Sequence, residues 1–351
     1  MNNHYCSGET IEVYEDNFVQ EIKRMSTYLE EYNYIGMDTE FPGVIVKLSQ
    51  YSNDFYYKSI KANVDDLKLI QLGITLCNSK GESPPVSTWQ FNFHFDIKKD
   101  KFSNESINLL LKSGINFDYL RDKGIHHSLF GEYFIISGLL LNPNVHWISY
   151  HGSTDFAYLL KYALNSPLPK TEFEFTSMVT LYFPSHYDIK FLIQGKDALK
   201  GGLNKLASVL DINRTGDEHQ AGSDSSVTAA VFFSLIQSNA INPNVLGSYE
   251  NILYGLGEGE DNKETILYTL FEPNALNNKS EYEQKVNSNL SSNSYVPQQP
   301  ITQNYSNNNN TMRPSTMYYP YMNYSKNGQY GMNTMSGNGN NVYRNYYNNF
   351  A

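Results

Sequence analysis

Four acidic residues and one histidine stand in three short motifs whose residue types suit metal-assisted chemistry. Asp38 and Glu40 lie in Ile-Gly-Met-Asp-Thr-Glu-Phe-Pro-Gly-Val, Asp155 lies in His-Gly-Ser-Thr-Asp-Phe, and His219 precedes Asp224 in His-Gln-Ala-Gly-Ser-Asp-Ser. Each acid has apolar, Gly or small neighbours that are typical of a packed interior, where an uncompensated negative charge is costly. Divalent cations favour carboxylate ligands. The motifs therefore predict a site for two metal ions.

The chemistry that this set of residues favours is hydrolysis at phosphorus. Two Mg²⁺ or Mn²⁺ ions about 3.5 to 4 Å apart stabilise both the attacking and the leaving oxygen of an in-line displacement. Histidine suits proton transfer near neutral pH, so His219 is the candidate general base.

Each motif taken alone also has a purely structural interpretation. Asp38 and Glu40 can be solvated acids of a surface strand, although the apolar residues around them disfavour this. Asp155 can be the N-terminal cap of a helix. His219 and Asp224 can form a hydrogen-bonded turn that caps the following helix.

Candidate RNA contacts are fewer. Lys196 and Lys200 flank a Gly-Gly turn and can contact phosphates, or they can belong to a solvated loop. Phe41 can stack on a base of single-stranded RNA, or it can be a core aromatic.

The elements that must position the motifs can be read from periodicity. A strand over residues 34–40 would place Asp38 and Glu40 on the same face, because side chains two apart in a strand point the same way. Further strands are predicted over residues 69–77, 87–95, 145–150 and 187–192, and helices over 104–112, 129–140 and 227–236. Strands followed by mixed helix and strand favour an α/β sheet flanked by helices.

Composition limits the class of protein. The 351 residues carry a formal net charge of −10, which argues against broad, charge-driven binding to duplex nucleic acid. Two cysteines provide neither a disulfide framework nor a cysteine-based zinc site, so an intracellular protein is expected. No segment approaches the roughly 18 apolar residues of a membrane span.

Domain boundaries follow from shifts in composition. Residues 1–12 are expected to be a flexible N-terminus and residues 13–271 a single domain. Residues 272–351 are rich in Asn, Tyr and Ser and are expected to be a disordered tail.

Several longer strings carry a resemblance to a known family. The order Asp-x-Glu, a distant Asp, then His-x-x-x-x-Asp resembles the His-containing branch of the DEDD exonuclease superfamily. The longer strings are Met-Asp-Thr-Glu-Phe-Pro-Gly-Val, Lys-Leu-Ile-Gln-Leu-Gly-Ile-Thr, Ser-Thr-Trp-Gln-Phe-Asn-Phe, Leu-Lys-Gly-Gly-Leu, His-Gln-Ala-Gly-Ser-Asp-Ser and Leu-Tyr-Gly-Leu-Gly. Through these strings, the chain from about residue 13 to residue 257 closely resembles the Caf/Pop family of poly(A) deadenylases, catalytic subunits of the Ccr-Not complex.

The resemblance implies an RNase-H-like fold, a mixed sheet with helices on both sides. It also implies removal of mRNA poly(A) tails in the 3′-to-5′ direction with release of AMP. The residues that match the family's metal ligands are Asp38, Glu40, Asp155 and Asp224, and His219 matches its general base. The implied partners are poly(A) mRNA, a Not-type scaffold subunit and a Ccr-type nuclease subunit. The expected location is the cytoplasm, with the nucleus as a second compartment.

Two alternatives stay open. A nuclease of the same superfamily that trims DNA or structured RNA would carry the same four carboxylates. A noncatalytic scaffold that links a Not-type protein to another nuclease is the alternative from a different class.

Overall fold

A mixed six-stranded sheet organises the computed structural model, which describes residues 8–48 and 54–256. The strand order is β1-β4-β3-β2-β5-β6. In this sheet β3 is antiparallel to both β2 and β4, whereas β2, β5 and β6 run parallel to one another and β1 runs parallel to β4. The strands are β1 (Glu9–Val13), β2 (Tyr34–Glu40), β3 (Gln71–Cys77), β4 (Val86–Asn92), β5 (His146–Ser149) and β6 (Ser185–Asp188).

Helices cover both faces of the sheet. Within the described ranges they are α1 (Phe18–Tyr28), α2 (Phe55–Asp66), α3 (Asn104–Lys112), α4 (Phe117–Lys123), α5 (His127–Ile136), α6 (Ser153–Leu164), α7 (Glu172–Tyr182), α8 (Ile189–Leu192), α9 (Leu203–Val209) and α10 (Ala221–Gln237). The mixed α/β sheet with flanking helices that the resemblance implies, an RNase-H-like architecture, is confirmed.

The two faces of β2 pack against different helices. Ile35 and Met37 belong to the larger core cluster, which includes buried residues of α1, α2, α5, α6 and α7. Gly36 points the other way, toward α10. Side chains alternate along a strand, so Asp38 and Glu40 share the α10 face with Gly36.

Helix α10 packs closely on the sheet, because glycines without side chains face it from β2 and β3. A Cβ atom on Gly73 of β3 would lie 1.9 Å from the Ala221 carbonyl oxygen, and one on Gly36 would lie 2.5 Å from the Ser225 carbonyl oxygen. Neither contact is possible for a residue with a side chain. The glycines therefore fix the depth at which the first turns of α10 rest on β2 and β3.

The structure corrects two predictions about elements. Residues 9–12 are not flexible, since Glu9–Val13 forms β1 and pairs with β4. The strand predicted over residues 187–192 is wrong beyond Asp188, where α8 begins. The cause is the Asp188 carboxylate, which accepts a hydrogen bond from the Lys190 N–H at 2.9 Å and so caps a helix.

Most other predicted elements agree with the structure to within four residues, and β2 and α3 have the predicted bounds. The helix predicted over residues 227–236 begins earlier, at Ala221, so Asp224 lies inside α10 and not in a turn before it. The boundary at residue 271 and the predicted tail over residues 272–351 lie outside the described residues and stay predictions. Among the residues that the structure describes, no helix has the length and apolar character needed to cross a membrane.

Candidate metal centre

Asp38 and Glu40 stand at the carboxyl end of β2. Asp38 lies opposite Gly73 of β3, and Glu40 lies opposite Gln71, in the antiparallel register. Both side chains are partly buried rather than solvated, so the alternative of a surface strand with free acids does not describe them. They face the first turns of α10. This helix can approach the sheet here because Gly73 has no side chain.

Asp224 lies in the first turns of α10 and is 8% exposed. The N-terminal N–H groups of this helix are satisfied by side chains of the sheet. The Gln71 side-chain oxygen accepts from Ala221 N–H at 3.3 Å, and that of Gln90 accepts from Gly222 N–H at 2.7 Å. These bonds fix the helix end, and with it Asp224, against β3 and β4, and β3 is the neighbour of the strand that carries Asp38.

Asp155 reaches the cluster from the opposite face of the sheet. It lies in the first turn of α6, just after β5, and is 9% exposed. Gly152, not Asp155, holds the N-cap position, so the capping interpretation is wrong for this residue. Its Oδ1 accepts a hydrogen bond from the Thr39 hydroxyl at 2.5 Å, which joins α6 to the strand residue between Asp38 and Glu40.

The loop before Asp155 is held by a buried carboxylate at the end of β6. Asp188 accepts hydrogen bonds from the N–H groups of His151 at 2.9 Å and Gly152 at 3.1 Å. It also accepts from the Tyr254 N–H at 3.1 Å. All of these partners are backbone groups, so Asp188 is a structural acid that fixes where α6 begins.

His219 is fixed through its backbone while its ring stays open to solvent. Its φ of 61° is in the left-handed region, its N–H donates to Asp224 Oδ2 at 3.1 Å, and its carbonyl accepts from the Ser113 hydroxyl at 3.0 Å. Its Nδ1 lies 4.0 Å from Glu40 Oε1, and its side chain is 43% exposed. The hydrogen bond expected between His219 and Asp224 is therefore present, but the capping interpretation is wrong, because Gln220 holds the N-cap position of α10.

Five side chains from distant parts of the sequence thus meet in one place. One ligand atom from each of Glu40, His219 and Asp224 lies within 4.8 Å of the other two. Asp38 and Asp155 adjoin this group, since Asp38 lies two residues before Glu40 in β2 and Asp155 is hydrogen-bonded to Thr39 between them. Carboxylate oxygens suit Mg²⁺ or Mn²⁺, so the acids of this cluster fit a divalent ion.

Burial and mutual repulsion raise the pKa values of the acids in this cluster. Burial, and then the charges of Asp155, Asp224 and Glu40, raise the pKa of Asp38 well above its usual range. Burial and the charges of Asp224 and Asp155 raise the pKa of Glu40 to about 8. Burial raises the pKa of Asp155 to about 6, against the Thr39 hydrogen bond, which lowers it. Without metal, Asp38 and Glu40 therefore favour the protonated form near neutral pH.

Arg214 supplies a positive charge that sequence reasoning missed. Its guanidinium donates to Asp224 Oδ1 and, at 2.9 Å, to the Ser223 hydroxyl. An arginine ten residues before an acidic motif is a weak signal, because the loop between them has no periodicity. Thr39 and Asp188 were also missed, and their roles depend on contacts with elements remote in sequence.

Of the predicted RNA contacts, only Phe41 adjoins this cluster among the described residues. Phe41 follows Glu40 and is partly buried, with its ring centroid 5.6 Å from that of Tyr158. Lys196 and Lys200 are exposed, and Lys200 pairs with Asp197 at 2.5 Å. No contact within the described residues links the two lysines to the carboxylates, so their roles and that of Phe41 stay predictions.

Comparison with known proteins shows ribonucleases of one family. The CAF1 family ribonuclease model matches residues 13–129. Probable CCR4-associated factor 1 homolog 7 of Arabidopsis thaliana is 41% identical over 256 residues, which are 70% of this chain and 92% of that protein. Poly(A) ribonuclease pop2 of Schizosaccharomyces pombe is 42% identical over 250 residues, 70% of this chain and 74% of that protein.

Solved structures agree with the sequence comparison. The Mg²⁺- and Mn²⁺-bound form of S. pombe Pop2p is similar, with a TM-score of 0.66, 40% identity, and coverage of 70% of this chain and 99% of that chain. CAF1 co-crystallised with the yeast NOT1 MIF4G domain gives a TM-score of 0.61 at 30% identity, covering 71% and 97%. The chain belongs to the CAF1 ribonuclease family.

The raised pKa values predict that the metal-free protein loses stability as pH rises. In the folded state Glu40 holds a proton up to about pH 8, whereas an unfolded Glu releases it near pH 4.5. Folding therefore binds a proton in this window, and the free energy of unfolding should fall with rising pH. For one proton the slope is at most about 1.4 kcal/mol per pH unit, reduced by salt and water at the open side.

Urea unfolding in EDTA between pH 7.5 and 8.5 measures this slope. Burial lowers the pKa values of His127, His146, His151 and His186, so these residues take up protons on unfolding and make stability rise with pH around the ordinary histidine pKa of 6.5. A lower limit about one pH unit above that value keeps this opposing contribution small. Glu40→Gln should flatten the slope, whereas Glu132→Gln on the exposed side of α5 should leave it unchanged. Equal slopes in all three proteins would contradict the predicted proton uptake.

Proposed function

We propose that this protein is a poly(A)-specific 3′-to-5′ exoribonuclease that shortens mRNA tails by two-metal-ion hydrolysis and releases AMP. The observation that carries the proposal is the convergence of Asp38, Glu40, Asp155, Asp224 and His219 at one edge of the sheet. Membership of the CAF1 ribonuclease family supports the same reaction class.

The four carboxylates are the proposed ligands of two Mg²⁺ or Mn²⁺ ions. Bound there, such ions supply Lewis-acid stabilisation of the attacking and leaving oxygens at phosphorus. Glu40 and Asp38 share one face of β2, Asp224 approaches on α10, and Asp155 approaches on α6. The metals in the S. pombe Pop2p structure support this choice of ions.

His219 is the proposed general base. Its backbone is held by Asp224 and Ser113, so the imidazole is positioned without a direct bond to its ring from either residue. The ring is 43% exposed and so remains accessible to a water molecule and an RNA end. Taking the proton from the attacking water is a role that its position beside the carboxylates allows.

Specificity for poly(A) is supported by the relatives. The S. pombe relative is named a poly(A) ribonuclease. Phe41, which directly follows the ligand Glu40, is the proposed stacking residue for a terminal base, and Lys196 and Lys200 are the proposed phosphate contacts. Tyr150 donates a hydrogen bond to the carbonyl of Gly201, so the turn after Lys200 is tied to the loop before α6.

Assembly into a Ccr-Not complex is part of the proposal. One solved relative is a CAF1 co-crystallised with a NOT1 MIF4G domain, and one curated relative is named a CCR4-associated factor. A Not-type scaffold subunit and a Ccr-type nuclease subunit are therefore the proposed partners. The proposed location is the cytoplasm, with the nucleus as a second compartment.

Release of AMP from an RNA with a 3′ poly(A) tail tests the proposal. We expect the full-length chain to shorten the tail with Mg²⁺ or Mn²⁺ and to stop in EDTA. Asp38→Ala should slow AMP release by on the order of 100-fold or more, because it removes a ligand of the metals that stabilise the reacting oxygens. Asp66→Ala, which changes an exposed acid paired with Lys101, is the matched control and should retain activity.

The same assay separates the alternatives. Equal rates on poly(A), other homopolymers and single-stranded DNA would favour a related nuclease of broader substrate range. Tail shortening by Asp38→Ala at the parent rate would favour the noncatalytic scaffold, with the observed activity arising from a contaminating nuclease.

Substitution of His219 tests the general base separately. His219→Ala and His219→Asn should lower kcat by about 100-fold or more while KM stays near the parent value, since proton transfer contributes to the transition state. Asn tolerates the left-handed backbone at this position, so it removes the imidazole with little strain. Parent-like kcat in the Asn variant would rule out this role.

A further inference from the structure

We propose that Arg214 is a tethered counter-cation that competes with a divalent ion for Asp224 and thereby weakens metal binding to the site. This inference rests on the proposed function, because it takes Asp224 to be a metal ligand. It concerns a side chain outside the predicted catalytic set, and it assigns that side chain an effect on metal affinity.

The guanidinium of Arg214 is held by three acceptors. Nη1 donates to Asp224 Oδ1 and, at 2.9 Å, to the Ser223 hydroxyl, while Nη2 donates to the side-chain oxygen of Asn204 on α9. The Ser223 hydroxyl is itself fixed, since it donates to the Thr215 carbonyl at 3.0 Å. Of these three acceptors, Asp224 alone carries a charge.

The ion pair lies largely out of solvent. The exposed fractions of the Arg214 and Asp224 side chains are 16% and 12%. Charge interactions are stronger there than at an open surface, where water and salt screen them. The charge of Arg214 also reaches Asp38, where it opposes the pKa rise caused by burial and the neighbouring acids.

Competition follows from how the two oxygens of Asp224 are used. Oδ2 accepts a hydrogen bond from the His219 backbone N–H at 3.1 Å. Because this N–H group carries no net charge, it does not prevent a cation from binding nearby. Oδ1 accepts from a guanidinium, whose full positive charge repels a divalent ion bound to the same carboxylate. Metal binding through Asp224 therefore either displaces Arg214 or loses affinity to this repulsion.

The two neutral acceptors keep Arg214 beside the site even when a metal ion takes Asp224. Ser223 and Asn204 remain its partners, so the positive charge stays near the bound ion and continues to repel it. The same arrangement stabilises the cluster without metal, because it neutralises the charge of Asp224. Arg214 thus favours the metal-free state over the metal-bound one.

Titration of Mn²⁺ into the EDTA-stripped full-length chain by calorimetry tests the inference. Arg214→Met should bind Mn²⁺ about tenfold more tightly than the parent, because the competing charge is gone. Arg214→Lys keeps the charge and should stay near the parent. Arg121→Met is the matched control, since it removes an arginine that pairs with Asp118 and Asp122, and it should leave the affinity unchanged.

Thermal unfolding separates competition from a structural role. Arg214→Met should lower the unfolding temperature in EDTA, and saturating Mn²⁺ should remove most of the deficit. A purely structural role predicts the same deficit in both conditions. Asn204→Ala frees one end of the guanidinium and should give a Kd between those of the parent and Arg214→Met.

The outcomes are distinguishable. Unchanged or weaker Mn²⁺ affinity in both Arg214→Met and Asn204→Ala would overturn the competition. A parent chain that shows neither heat of Mn²⁺ binding nor stabilisation by Mn²⁺ would instead overturn the metal site of the proposed function.

Discussion

Repulsion among carboxylates held close together out of water is the constraint around which this molecule is built. Asp38, Glu40 and Asp155 all have raised pKa values because burial and neighbouring negative charges disfavour ionisation. Such a cluster costs free energy in the metal-free chain, and a fold keeps it only if other interactions over-determine its geometry. A bound cation removes the repulsion among the carboxylates, and this gain in free energy favours binding of the cation. The cluster is therefore better explained as a site than as a packing feature.

The fold supplies the interactions that hold the cluster together. Gly36 and Gly73 let α10 rest on the backbone of the sheet, and the side chains of Gln71 and Gln90 fix its first N–H groups. On the other face, Asp188 fixes the loop before α6. Three independent elements thus converge on the carboxyl end of β2, where neighbouring strands and loops can each contribute a ligand.

The balance between Arg214 and a metal follows from the same constraint. Arg214 forms an ion pair with one of the four carboxylates, that of Asp224, and its other two acceptors are neutral. The protein therefore has an internal cation for the metal-free state. The raised pKa values of Asp38 and Glu40 favour protons on those two acids, and divalent ions would replace both the protons and the guanidinium charge.

Much of the fold could be predicted from the sequence, since local patterns determine β2 and α3. The Asp-x-Glu spacing also gives the shared face of Asp38 and Glu40, because strand geometry fixes it. Contacts between remote segments could not be predicted in this way. The Thr39 bond to Asp155, the arginine on Asp224 and the pairing of residues 9–13 with β4 all depend on tertiary packing. The strand predicted past Asp188 failed because one side chain caps a helix there.

Anomalous diffraction from crystals of the full-length chain grown with Mn²⁺ would examine the convergence of acids directly. We expect two anomalous peaks in contact with carboxylate oxygens of Asp38, Glu40, Asp155 and Asp224, and the loss of at least one peak in Asp38→Ala. Absence of any peak among these residues at saturating Mn²⁺, with the fold intact, would contradict the assignment of a metal centre.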